Sequence, residues 1–148
     1  METTSDERDA RAAIARLIAI YAQLLDSHRL EEWGELFSAK ARFRVGADQW
    51  VGRDAIVDGI GGMQPPPDRP VKHVCLTPVI DLDGPGRARA WTDFTAFGTG
   101  DDGHVSIATI GRYYDRLVLD EGCWRFEERA IVMSGAPVPD DLATSPAR

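Results

Sequence analysis

Apolar residues near the start of the chain recur at steps of three and four: Ile14, Leu17, Ile18, Tyr21, Leu24 and Leu25. That period places them on one face of a helix, predicted over residues 6–27. Ser5 or Asp6 can cap it, and Asp6, Glu7 and Asp9 suit its electropositive first turn. Beside the apolar face runs a stripe of small residues, Ala12, Ala15, Ala19 and Ala22, which ends at Asp26. Small side chains there would let another element approach closely. Two shorter helices are predicted at 29–37, with Trp33, Leu36 and Phe37 as the apolar side, and at 53–60. Between them ARFRV, 41–45, alternates as a strand does. GGMQPPPDRP, 61–70, is a loop, because its prolines lack N–H donors and have fixed φ.

The second half changes period. VKHVCLTPVIDL, RARAWTDFTAF, HVSIATIGRYYDRLVL and CWRFEERAIVM are β-rich and are separated by DGPG, GTGDDG and DEG, which are turn chemistry. Four such strands in sequence predict an antiparallel meander, with Pro78 marking a bulge or an edge in the first. Helices followed by strands give an α+β layout. The predicted architecture is a cone-shaped α+β barrel, with N-terminal helices packed on a curved antiparallel sheet that encloses a pocket. Residues 1–134 form this single domain, and the proline-containing tail, 135–148, is expected to be loosely ordered.

Composition narrows the function classes. The chain has 148 residues and a net charge of −7, with 17 Lys+Arg against 24 Asp+Glu. That balance argues against a nucleic-acid partner, which needs clustered basic residues. No apolar run reaches the roughly 20 residues of a membrane span, and METTSDERDAR has no apolar core of a secretory signal. Cys75 and Cys123 have neither metal-ligand spacing nor a disulfide framework. A reduced, cytoplasmic setting is the simplest expectation. No phosphate loop, G-x-S-x-G elbow or H-E-x-x-H motif occurs, so neither a hydrolytic triad nor a zinc site is expected.

Four residues could carry chemistry. Asp26 stands at a helix C-terminus, where the macrodipole disfavours a carboxylate by about 0.3–1 kcal/mol. It is either a solvated residue entering a turn or an acid held there by a partner. His73, in KHVCL, is either structural or a base suited to neutral pH. Alternation puts Asp93 on one face with Arg89, Trp91, Thr95 and Phe97, which suits a pocket carboxylate or an exposed acid. Arg129 sits where its strand turns from charged to apolar. Buried, it needs an anion or carbonyl partner, or a salt bridge to Glu127, Glu128 or another acid. Tyr113 and Tyr114 face opposite ways, so only one can line a pocket. His28 and His104 read as loop residues.

YAQLLD, EEWGELFSAKARFRV, GRDAI, KHVCLTPVIDLDG and GRYYDRLV with its following WRFEERAIV occur in the order seen in SnoaL-like domains. These belong to the nuclear transport factor 2-like superfamily, and the resemblance spans about residues 8–134. Within it the chain resembles scytalone dehydratase, bile-acid 7α-dehydratase and hexachlorocyclohexane dehydrochlorinase. The resemblance implies an Asp–His dyad, here Asp26 and His73, that works with no metal and no organic cofactor, with Tyr21, Asp93 and Arg129 as further site residues. Arg112 stands where scytalone dehydratase has a second histidine, so that enzyme's substrate and water-handling step do not carry over.

The expected function is therefore a cofactor-independent lyase, of dehydratase type, acting on a small hydrophobic cyclic substrate. Trp91, Phe97, Ile110, Arg112 and Met133 are expected to bind that substrate, with Trp33 and Trp50 near the mouth. One alternative is a polyketide-cyclase or isomerase chemistry with Asp93 as base. Another is a non-catalytic binding or assembly subunit. By analogy a homo-oligomer is expected, a trimer first.

Overall fold

The computed structural model describes residues 5–142. Helix α1 runs Ser5–Asp26 and buries Ile14, Leu17, Ile18, Tyr21 and Leu25 along one face. It ends in a locked reversal. His28 adopts φ 55; its N–H donates to the Leu25 carbonyl at 3.1 Å, and the Arg29 N–H donates to the Leu24 carbonyl at 3.0 Å. Two such bonds around a left-handed residue make a Schellman turn. It satisfies two terminal carbonyls and fixes the position of Asp26, the last helical residue.

Helix α2, Leu30–Gly34, is shorter than the pattern predicts. Strand β1 starts early, at Phe37, and runs to Val45. Phe37 is fully buried and pairs with Phe126, so packing draws it into the sheet. Strand β2, Asp48–Val51, pairs antiparallel with β1; four residues without clear alternation gave no signal of it. Helix α3, Arg53–Ile56, widens into one π-helical turn, Val57–Gly61. Glycine is required in that turn: a Cβ on Gly59 would lie 2.2 Å from Trp50 Nε1.

Pro78 divides the predicted long strand in two, β3, Val71–Cys75, and β4, Val79–Leu82. Both pair antiparallel with β5, Arg87–Thr99. Strands β5, β6, Val105–Asp120, and β7, Cys123–Met133, form the meander. Strand β1 closes on β7 in parallel, so the sheet is mixed, in the order β2-β1-β7-β6-β5-β3 with β4 beside β5. Register shifts lie between Ala96 and Phe97 on β5 and between Arg116 and Leu117 on β6. Extra residues at such bulges increase twist, and the sheet curls around α1. The α+β cone predicted from the sequence is the fold.

The two faces of β5 are the reverse of the expected assignment. Ala88, Ala90, Thr92, Phe94 and Ala96 are buried on the inner side, where Ala88, Ala90 and Phe94 join α1 in the main core. Trp91 packs outside, with Tyr114, Ala130 and Leu142. The helix needs small residues beneath it, so the alanines, and not the tryptophan, mark the covered face. Leu142 brings the tail across this outer patch. Asp141 pairs with Arg44 at 2.7 Å, and its carbonyl accepts from Arg116 at 3.0 Å. Residues 135–142, expected to be loose, are thus anchored; 143–148 lie outside the described residues. No described helix is long and apolar enough to cross a membrane.

Candidate active site

The C-terminus of α1 and the edge strand β3 meet at Asp26 and His73. One oxygen of the carboxylate, Oδ2, accepts the backbone N–H of His73 at 2.8 Å. The other, Oδ1, lies 2.6 Å from His73 Nδ1. An ionised carboxylate only accepts, so Nδ1 carries a proton, and in the neutral ring Nε2 is the nitrogen with the lone pair. The two side chains are 7% and 15% exposed. Asp26 therefore holds both the strand and the ring of the same residue. That answers the puzzle of an acid at the helix's negative pole: two donors surround it.

His73 forms part of the wall of a cavity of about 150 Å³ at this end of the cone. Tyr21 and Leu25 of α1 close one side, and Phe43 and Val45 of β1 another. Ile60, Met63 and Gln64 come from the π-turn and the loop after it. The sheet supplies Phe94, Ala96, Thr109, Tyr113, Ile131 and Met133. Gln64 is tied back by its amide to the Ile60 carbonyl at 3.0 Å. Phe94 and Tyr113 stack at 4.1 Å with planes 4° apart. On its other side His73 borders an open groove of about 550 Å³ between α1 and β3. A larger hollow, at the start of α1, holds Asp6, Glu7 and Asp9 but no histidine, so it lacks a base for neutral pH.

Behind Tyr21 and Tyr113 lies a second polar pair. Arg129 and Asp115 face each other across β6 and β7, both sealed from solvent. Nε and Nη2 of the arginine each donate to the carboxylate at 2.7 Å. Nη1 has no hydrogen-bond partner among the described residues. The guanidinium carbon instead sits 4.1 Å from the Tyr21 ring centre, 4.0 Å from Tyr113 and 4.2 Å from Phe126, where cation–π attraction stabilises a desolvated charge. Burial raises the Asp115 carboxyl above the usual range, against the pull of Arg129. Burial also holds the Tyr21 hydroxyl above the ordinary phenol range, with Arg129 opposing. It does the same at Tyr113. Both phenols stay protonated and can donate.

His73, Tyr21 and Met133 thus come together at the cavity, with Asp26 bonded to His73 outside its wall and Arg129 one layer behind it. Five predicted site residues are elsewhere. Asp93 is on the outer face, half-exposed and paired with Arg112 at 2.5 Å; the two are cross-strand partners there. Ile110, 53% exposed, shares that face. Trp91 packs under Leu142, and Phe97 lies beyond the bulge, outside the cavity wall. Each correction follows from the reversed faces of β5 and β6. Trp33 is core, between Tyr21 and Phe37, and Trp50 packs on Phe43; neither is at the mouth. Of the tyrosine pair, Tyr113 faces in. Asp115 was missed although it was legible: it shares the parity of Tyr113, and a buried acid needs a cation.

The SnoaL-like domain model matches residues 6–130, and the chain belongs to that family. No curated protein matches it. A candidate scytalone dehydratase from Novosphingobium aromaticivorans superposes with a TM-score of 0.78 at 23% identity, covering 89% of each chain. A nuclear transport factor 2-like protein with a cystatin-like fold from the same organism gives 0.78 at 20%, covering 93% of this chain and 94% of the other. The β subunit of a candidate aromatic-ring-hydroxylating dioxygenase, again from that organism, gives 0.72 at 22%, covering 89% and 94%. These likenesses establish the shared fold.

Proposed function

We propose that the protein is a cofactor-independent lyase of dehydratase type, with His73 as general base and Asp26 as the acid that orients it. The observation that carries the reading is the double grip of Asp26 on His73 at the wall of an apolar cavity. In a cyclic β-hydroxyketone, His73 Nε2 takes the proton α to the carbonyl. The C–H electron pair passes to the carbonyl oxygen, where a Tyr21 or Tyr113 hydroxyl stabilises the enolate by hydrogen bonding. Return of that pair forms the C=C bond and expels hydroxide, which takes the proton from the imidazolium and leaves as water. Asp26 stabilises the imidazolium between the two transfers. The groove beside His73 gives the ring an exchange route to solvent.

Arg129 acts here through the tyrosines it underlies, since Asp115 holds its Nε and Nη2 donors and the aromatic rings cover the guanidinium. The reading with Asp93 as base loses its support, because Asp93 is on the outer face with Arg112. The likeness to a dioxygenase β subunit favours a second reading, an assembly subunit without catalysis. A screen of monocyclic β-hydroxyketones for enone absorbance separates them. Wild type and Asp93→Asn are expected to turn over and His73→Ala to fail. Turnover by His73→Ala at the wild-type rate would overturn the lyase mechanism. Silence of the wild type, with isolation in a stable complex with a larger redox subunit, would favour the assembly role.

A further inference from the structure

The same cavity carries information about what can enter it. We infer that it accepts a single uncharged ring bearing one oxygen acceptor, and that it excludes carboxylates and fused two-ring systems. This rests on the reading of the cavity as the reaction site and narrows its substrate class.

Size comes first. A cavity of about 150 Å³, open at a rim where Met63 and Met133 are exposed, is the size that holds one benzene ring. Its walls cannot easily give way. Phe94 is fixed by its stack on Tyr113 and by Gly111: a Cβ there would lie 3.0 Å from Phe94 and 2.6 Å from the Val132 carbonyl. A second fused ring must either displace one of these packed groups, which interiors at crystal-like density resist, or stand out past the exposed rim, where the wall no longer covers it.

Charge comes second. Among the described residues, no Asp, Glu, Lys or Arg side chain is part of the cavity wall. The nearby charges are already committed. Asp115 takes two donors of Arg129, and Asp26 takes both donors of His73. Arg129 Nη1 is unpartnered but lies behind Tyr21 and Tyr113, so an entering carboxylate would lose its water and meet no cation at the wall, which is strongly unfavourable. A carbonyl or hydroxyl oxygen asks less. The protonated hydroxyls of Tyr21 and Tyr113 suffice for it.

Three probes of matched chemistry test this by NMR at pH 8, reading the His73 imidazole signals. Benzamide is one neutral ring, benzoate is its anionic counterpart, and 2-naphthamide adds a fused ring. Benzamide is expected to shift His73, and benzoate and 2-naphthamide to bind at least tenfold more weakly. Ala96→Phe, which fills the cavity from the strand position paired with His73, should abolish the benzamide response in a protein with unchanged circular dichroism. Asp115→Asn frees the guanidinium and should raise benzoate affinity relative to benzamide at least tenfold. Should that variant not fold, the wild-type ranking still decides. Benzoate binding as tightly as benzamide overturns the charge rule. Equal or tighter binding of 2-naphthamide, no response to benzamide, or a response that survives Ala96→Phe overturns the size rule. The probes report occupancy and not turnover. A failed turnover screen therefore sinks the lyase reading alone, and tight benzoate binding sinks this inference alone.

Discussion

At the residue scale, Asp26 shows how a locally unfavourable choice is retained. The helix end opposes a carboxylate by about 0.3–1 kcal/mol, yet hydrogen bonds to a charged acceptor are each worth about 1.5–3 kcal/mol. Two of them, to the His73 backbone and ring, outweigh the dipole. Tyr21 and Tyr113 show the opposite case, neutral groups kept neutral by burial. In the unfolded chain a tyrosine ionises near pH 10; in the folded protein these two do so only at higher pH. Above about pH 10 the unfolded state therefore holds fewer protons than the folded state, and stability must fall as pH rises. Urea midpoints at pH 9 and pH 11, read beside the 295 nm tyrosinate absorbance, check this. The midpoint should drop, with two phenols silent until unfolding. Ionisation of all three tyrosines near pH 10 in the folded protein would contradict it.

At the element scale, the join between β6 and β7 depends on Arg129 and Asp115. Removing one member of a buried ion pair leaves an uncompensated charge and destabilises by about 3–5 kcal/mol. Arg129→Met should do so in chemical denaturation. The double variant Arg129→Met/Asp115→Leu should recover most of the loss, because apolar replacement of a whole pair is often neutral. A double variant as unstable as the single one would show that the pair contributes net stability. The α1 terminus offers a gain instead. His28 carries the left-handed conformation of the Schellman turn, a strain glycine does not feel. Relief of a left-handed strain of about 1–2 kcal/mol, less glycine's entropy cost of about 0.5–1 kcal/mol, means that His28→Gly should raise stability, and a loss would mean that the His28 side chain packs usefully. These elements also show what sequence can and cannot reveal. The 3.6-residue period of α1 and the turn glycines fix helix and meander. Alternation alone cannot say which face of β5 is inner, because both carry apolar residues. Helix cover decides it, through the small size of Ala88, Ala90 and Ala96.

At the scale of the whole molecule, the fold places a helix end, a strand edge and a cavity at one point, and the dyad exists only there. Asp26 and His73 lie 47 residues apart in sequence, so residue types and family resemblance suggested the pair, while the curl of the sheet brings it together. The cavity wall was legible only in part, since it is drawn from three helical or loop segments and five strands. The parallel closure of β1 on β7 that places Phe43 and Val45 in it leaves no local signature. The central claim is that His73, oriented by Asp26, moves a proton to and from carbon in that cavity. Exchange of α-protons in small cyclic ketones, followed by NMR in D₂O, measures this directly. The wild type should catalyse exchange above the buffer rate. His73→Ala should lower it by roughly 10²–10⁴-fold, the usual contribution of a general base, and Asp26→Asn should lower it as well. Undiminished exchange in His73→Ala, or no exchange by the wild type with a ring ketone bound beside His73, would contradict the account.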